Sequence, residues 1–196
     1  SGSGRGHGFL HLGHQLAQRE GFRQEGELLI LRQAARERIL RIARYEDDLE
    51  IRIAAAHRLA VMHGFNEGIF NHLTFVVPGH SDRYYQIPFG MHWSEVTASS
   101  FMEVGIDDAE VKRGEGEVER SCYCIHAPIH KALPQAKAVF HTHMPYASAL
   151  TRLEDPRIKE IGQTEVGLSE AIAYDDLYTG PALDPAEGAR LAKVIG

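Results

Sequence analysis

Cysteine, tryptophan and long apolar runs are scarce in this chain. Its 196 residues include two cysteines and one tryptophan. The cysteines, Cys122 and Cys124, stand one residue apart. So close a pair rarely forms a disulfide, and the low count fits a reducing cytoplasm. No apolar run approaches the ~20 residues needed to cross a bilayer. The run nearest the N-terminus, Leu28-Leu29-Ile30-Leu31, is too short for a signal peptide. A basic excess is missing as well. Lys plus Arg number 21 against 27 Asp plus Glu, a net charge of -6. That balance leaves no electrostatic footprint for nucleic acid. Neither a nucleic acid nor a membrane is an expected partner. The length suffices for one domain with a sizeable core.

Residues 1–26 begin Gly/Ser-rich and without an apolar period, which predicts a flexible tail or leader. His7, His11 and His14 belong with it. The remainder, 27–196, is expected to be a single domain. Leu31, Ala35, Ile39 and Ile42 follow helical spacing and predict a helix over 27–44. Asp47 caps a second helix, with Glu50 three residues on; Ile53, Ala56 and Ala60 line one face and Gly64 ends it. Leu73–Val77 and Tyr84–Ile87 flank the turn Pro78-Gly79-His80-Ser81-Asp82 and predict a hairpin. Thr97 or Ser99 caps a short helical turn, and 107–116 reads as a polar loop. A helix from Ser121 stops at Pro134, with Ile125, Ile129 and Leu133 on one face. Ala138-Val139-Phe140 is a short buried strand, and Pro145 opens a further helix. Asp184-Pro185-Ala186-Glu187 is a cap, an N1 proline and a capping-box glutamate in order, predicting a helix to Gly196. The mixture implies an α/β fold with a mixed or antiparallel sheet. The pattern suggests a further strand after the last helix.

His141-Thr142-His143 ends the short strand. Residues two apart on a strand face the same side, so both imidazoles are available to one ion. Two ligands are half a site, since zinc takes three protein ligands for catalysis and four for structure. His126 and His130, at i,i+4 on the expected helix, also share a face. Without an intervening Glu they fit a structural or supporting role better than ligation. Cys122 and Cys124 are poor candidates to complete a quartet, because helix positions two apart point about 200° apart. Buried, inert thiols are expected. Glu95 reads as a structural or solvated carboxylate. Glu115, Glu117 and Glu119 read as part of a charged, solvated loop.

Taken together, these motifs resemble the class II aldolase/adducin family over residues 47–196. The resemblance rests mainly on Ile125-His126-Ala127-Pro128-Ile129-His130 and on Ala138-Val139-Phe140-His141-Thr142-His143-Met144-Pro145-Tyr146-Ala147. Asn71-His72-Leu73-Thr74, Pro88-Phe89-Gly90, Ser94-Glu95-Val96-Thr97-Ala98-Ser99 and Tyr174-Asp175-Asp176 support it. The family implies a three-layer α/β/α sandwich around a mixed, largely antiparallel sheet. It also implies a ring-like homo-oligomer, commonly a tetramer. In its enzymes a divalent metal, zinc or similar, is held by the His-x-His pair plus a third histidine. His141 and His143 match the first two ligands. The third belongs to an Asn-His-Gly motif on a strand after the last helix, beyond Gly196.

Departures from the family pattern carry information. Cys122 occupies the position of the family's catalytic Glu. A thiol with an unperturbed pKa of ~8.5 is no simple substitute for a carboxylate. Glu119 lies three residues earlier, and reaches the same side only if the helix has already begun there. The phosphate-binding positions are altered to Asn71-His72-Leu73-Thr74, Phe89-Gly90 and Arg120-Ser121. Phe89 removes a phosphate-binding hydroxyl, whereas Arg120 suits a carboxylate. These changes are those of the adducin-like branch. Two functions are therefore expected. The first is a metal-dependent lyase performing aldol cleavage or decarboxylation on a small, non-phosphorylated hydroxy acid, keto acid or aldehyde, with His72, Arg120 and Ser99 as substrate contacts. The second is a non-catalytic adducin-like module for assembly or ligand binding.

Overall fold

Alternation on two neighbouring strands sets the architecture. The structure is a computed structural model that describes residues 49–196. In β1 (His72–Val76) and β2 (Arg83–Gln86), successive side chains face opposite ways. Leu73 and Tyr85 enter one apolar cluster, and Tyr84 enters another on the opposite face. The two strands pair antiparallel, Phe75 with Tyr85 and Val76 with Tyr84, as the expected hairpin.

The first face is covered by α1 (Leu49–Met62), whose Ile53, Ala54, His57 and Ala60 are buried. Gly64, with φ of 68°, takes the left-handed conformation just past its end. His57 is fully enclosed, and its Nδ1–H donates to the carbonyl of Ile53 at 2.7 Å. Trp93 lies edge-on to the His57 ring at 5.1 Å and stacks on Phe140 at 5.5 Å. Trp93 belongs to the short 3-10 turn Trp93–Glu95, which a second such turn, Ala98–Ser100, follows. Thr97 precedes the second turn, and its amide donates to Ser100 Oγ at 3.0 Å.

The opposite face is covered by α2 (Arg120–Ala132). Tyr84, Met102 and Val104 from the sheet meet Tyr123, Cys124 and Ala127 from this helix. Leu133 ends it, directly before Pro134. Pro128 sits inside it and supplies no N–H for the carbonyl of Cys124. The last helix, α5 (Pro185–Ile195), packs against α2 at that point. A Cβ on its Gly188 would stand 2.4 Å from the Cys124 carbonyl oxygen and 2.6 Å from that of Ile125. Only glycine permits so close an approach of the two helices. Asp184 caps α5 by accepting from the amide of Ala186 at 2.8 Å. Glu187 pairs with Arg190 instead of closing a capping box.

Two strands went unforeseen. β3 (Met102–Gly105) pairs with β2, and β4 (Val111–Arg113) lies within the stretch expected to be loop. β4 is exposed, and Arg113 ties it to Glu103 at 2.6 Å and to Glu50. A charged, short edge of this kind resists pairing with another chain. β5 (Ala138–His141) completes the described sheet, in the order β4-β3-β2-β1-β5. The sheet is antiparallel throughout these strands. Beyond β5 come α3 (Pro145–Leu150) and α4 (Gln163–Ser169). The second of these was also not foreseen.

The expected tail, the helix over 27–44 and the Asp47 cap lie outside the described residues. Among the described residues, no helix is long and apolar enough to cross a membrane.

Candidate functional site

The β1–β5 register places His72 opposite His141. Directly opposed residues project to the same face, so both rings turn toward α2. Their Nδ1 atoms are 3.2 Å apart. His143 lies just past the strand, where its amide donates to the Phe65 carbonyl at 3.0 Å. Its ring centroid is 4.9 Å from that of His141. The expectation that these two imidazoles share a side holds.

His72, His141 and His143 line one wall of a cleft with a volume of about 1140 Å3. The facing wall comes from residues 151–182, including Leu153, Arg157, Asp175, Asp176 and Tyr178. Arg157, the one Lys or Arg lining it among the described residues, is paired to Asp176 at 2.6 Å.

Glu119 enters the site from the start of α2. It is the N-cap, outside the helix, and its carboxylate accepts from the amides of Ser121, at 3.1 Å, and Cys122. The same carboxylate lies 3.1 Å from His72 Nε2. Burial pushes its pKa up, but hydrogen bonds from His72 and the two amides outweigh that and hold it down at about 2. Being ionised, it can only accept, so His72 places its proton on Nε2. His72 Nδ1 then carries a lone pair, and His141 donates Nδ1–H to it. A bare Nε2 remains on His141. Glu67 Oε2 lies 2.9 Å from His143 Nδ1 and fixes that ring in the same tautomer. With Nδ1 engaged on both rings, Nε2 is the nitrogen that each can offer to a metal. Burial, reinforced by the His72 and His143 charges, lowers the His141 pKa to about 4, which favours the neutral ring.

The expectation for Glu119 needs correction. It does not need to be part of the helix to reach the site, because a capping side chain folds back over the first turn. Nothing in the charged sequence 115–119 advertised this. Glu67, too, was missed. Cys122 sits where expected, fully buried, and burial pushes its thiol well up. Cys124 packs in a different cluster, with Tyr84 and Met102, as the 200° argument required.

Two expected substrate contacts are placed elsewhere. Arg120 points its Nη2 to the carbonyl of Leu183 at 3.1 Å and lies over the Tyr123 ring. Ser99 is exposed on its 3-10 turn, 3.1 Å from Thr97 Oγ1. Neither lines the cleft, whereas His72 does.

This chain belongs to the class II aldolase and adducin family: the family described as "Class II Aldolase and Adducin N-terminal domain" matches residues 51–196. It is 33% identical to alpha-adducin of Rattus norvegicus over 150 residues, covering 76% of this chain and 20% of that protein. It is 30% identical to decarboxylase NovR of Streptomyces niveus, covering 75% of this chain and 54% of that one. Among solved structures, an aldolase II superfamily protein from Pseudomonas syringae is 33% identical, with a TM-score of 0.67 over 76% of this chain and 59% of that one. L-Fuculose 1-phosphate aldolase from Glaciozyma antarctica PI12, at 24% identity and a TM-score of 0.64, shares the fold; the match covers 75% of this chain and 56% of that one. The chain spans between a fifth and about half of the length of these curated relatives.

Proposed function

We propose that this domain is a metal-dependent lyase that cleaves or decarboxylates a small hydroxy acid, keto acid or aldehyde lacking phosphate. The observation that carries this reading is the pairing of His141 and His143 at a cleft wall, with the Nδ1 of each held by His72 or Glu67. His141 and His143 would hold a divalent ion of the zinc class, with the third histidine expected beyond Gly196. Their donor set fits, since burial favours the neutral His141 ring and both Nδ1 atoms are engaged. When bound, the ion would polarise the substrate carbonyl and stabilise the enolate shared by aldol cleavage and decarboxylation.

Within this reading, Glu119 and His72 handle the proton. Glu119 holds the His72 ring by its Nε2–H, as a carboxylate orients an imidazole in an acid–base pair. Cys122 cannot do this work, because its buried thiol stays protonated. The cleft's lining supports a substrate without phosphate. Glu154, Asp175, Asp176 and Glu187 line it, and the arginines beside them are already paired, Arg157 with Asp176 and Arg190 with Asp175 and Glu187. A dianionic phosphate gains nothing there. Exposed apolar side chains along 146–183, among them Tyr146, Ile161 and Tyr178, suit contacts with further copies in a homo-oligomer, a tetramer by family expectation.

The test is turnover of metal-reconstituted protein on panels of hydroxy acids, keto acids and aldehydes. Turnover that disappears in His141→Ala supports the lyase. Protein that holds metal yet turns over nothing overturns it. A second reading, a non-catalytic adducin-like module, is favoured by Cys122 at the family's Glu position and by the adducin relatives. Aldol activity that appears only in Cys122→Glu would support that module.

A further inference from the structure

A chain of hydrogen bonds fixes the state of a buried histidine outside the His141/His143 pair. It begins at the Ala136 carbonyl, which can only accept, so His130 donates its Nδ1–H at 2.9 Å. Burial keeps His130 neutral, and its Nε2 therefore accepts. The donor is the Thr74 hydroxyl, 2.8 Å away. That hydroxyl has one proton, now spent. Toward His126 Nδ1, also 2.8 Å away, Thr74 Oγ1 must accept. His126 consequently carries its proton on Nδ1 and a bare lone pair on Nε2.

His126 is fully buried, and this Nε2 has no partner among the described residues. A buried lone pair without a donor is destabilising. What surrounds it is informative. His126 is four residues after Cys122 on α2, so both side chains leave one face of the helix. Across from them stands His72 on β1. One ligand atom from each of His72, Cys122 and His126 lies within 4.8 Å of the others. Ligand atoms around a tetrahedral zinc are separated by roughly 3.3–3.6 Å, so modest side-chain rotation closes the set.

We propose that His72, Cys122 and His126 form a second metal site, distinct from the His141/His143 pair, for a thiophilic divalent ion of the zinc class. Two imidazoles and a thiolate make a borderline-soft donor set. On binding, the Cys122 S–H bond breaks, its proton leaves to solvent, and a sulfur–metal bond forms. Supporting contacts are in place: Thr74 fixes the tautomer of His126, and Glu119 takes the Nε2–H of His72, so His72 ligates through Nδ1 by exchanging its hydrogen bond from His141 for the metal. The ion enters from the cleft that His72 lines. This site does not require turnover, and when filled it takes the His72 Nδ1 that His141 otherwise uses and so withdraws His72 from the proposed acid–base pair.

Cobalt(II) titration of the chelator-stripped full chain tests it, read by the near-ultraviolet thiolate-to-cobalt absorption and by bound metal per chain. The parent is expected to show the thiolate band. A His141→Ala/His143→Ala double variant should keep that band with one ion bound, whatever becomes of turnover. Cys122→Ser should lose it, and Thr74→Val should weaken cobalt affinity about 10–100-fold. A parent that shows no thiolate band overturns the proposal, and that measurement needs no variant to fold. A band that survives Cys122→Ser, or that vanishes in the double histidine variant, overturns it equally.

Discussion

Protonating His57 should destabilise the fold in a defined pH window. The ring is enclosed between α1, Trp93 and Phe101. Its Nδ1–H is spent on the Ile53 carbonyl, and its Nε2 has no partner among the described residues. Burial outweighs that single hydrogen bond and lowers its pKa from 6.5 to about 4. In the unfolded chain the same ring titrates near 6.5. Between those values the unfolded state binds more protons, so stability falls as the pH falls. The contribution is complete above pH 6.5 and is lost as the pH drops toward 4. At 1.36 kcal/mol per pKa unit, the loss at pH 4 is about 3 kcal/mol, a large share of the roughly 5–15 kcal/mol that holds a domain together. Burial lowers the pKa of His126, His130 and His141 as well, so the measurement must be differential. His57→Phe keeps an aromatic ring in the slot and removes the charge. Urea denaturation of parent and variant at pH 7.5, 6, 5 and 4 gives the stability difference at each pH. The variant should gain about 3 kcal/mol on the parent across that range. A difference that does not move with pH refutes the argument.

Three further outcomes are expected. Glu119→Gln keeps a capping oxygen but removes the charge on His72. Turnover on the substrate found by the panel should fall about 100-fold or more, with stability changed by no more than ~1 kcal/mol, by steady-state kinetics and denaturation. Gly188→Ala forces a methyl onto the backbone of α2, and should cost about 1–3 kcal/mol in urea denaturation; a cost near zero contradicts the close helix approach. Chelator treatment should abolish turnover reversibly, with added zinc restoring it in the parent and not in His143→Ala, by elemental analysis and kinetics.

Much of the fold was legible because period and punctuation agreed. The β1–β2 hairpin had apolar runs around a Pro-Gly turn, and α2 had a helical apolar face and a proline stop. β3 and β4 gave neither cue. Met102–Gly105 spans only four residues, too short for its alternation of Met102 and Val104 with Glu103 and Gly105 to stand out, and Val111–Arg113 is an exposed edge held by ion pairs, not burial. His57 escaped notice on α1 because a histidine on an apolar face looks polar in a sequence and is enclosed only once Trp93 arrives. The His141/His143 pair was readable from its spacing. The carboxylates that set its tautomers were not, because Glu67 and Glu119 reach it across 76 residues and through a capping turn. Arg120 followed the opposite course. Its position suggested a substrate contact, but the carbonyl of Leu183 claims its guanidinium.

The register between β1 and β5 also governs when the site comes into being. His72 and His141 are separated by 69 residues of chain, and they meet only after the hairpin, α2 and the connecting turns have been laid down. Contacts so distant in sequence form against a large loop-closure entropy and slow the folding of the proteins that depend on them. A slip of one residue along β5 would carry Phe140 to the α2 face in place of His141. The cleft is therefore assembled by the most non-local pairing in the described sheet, and its geometry is a direct report on whether that pairing finished in register.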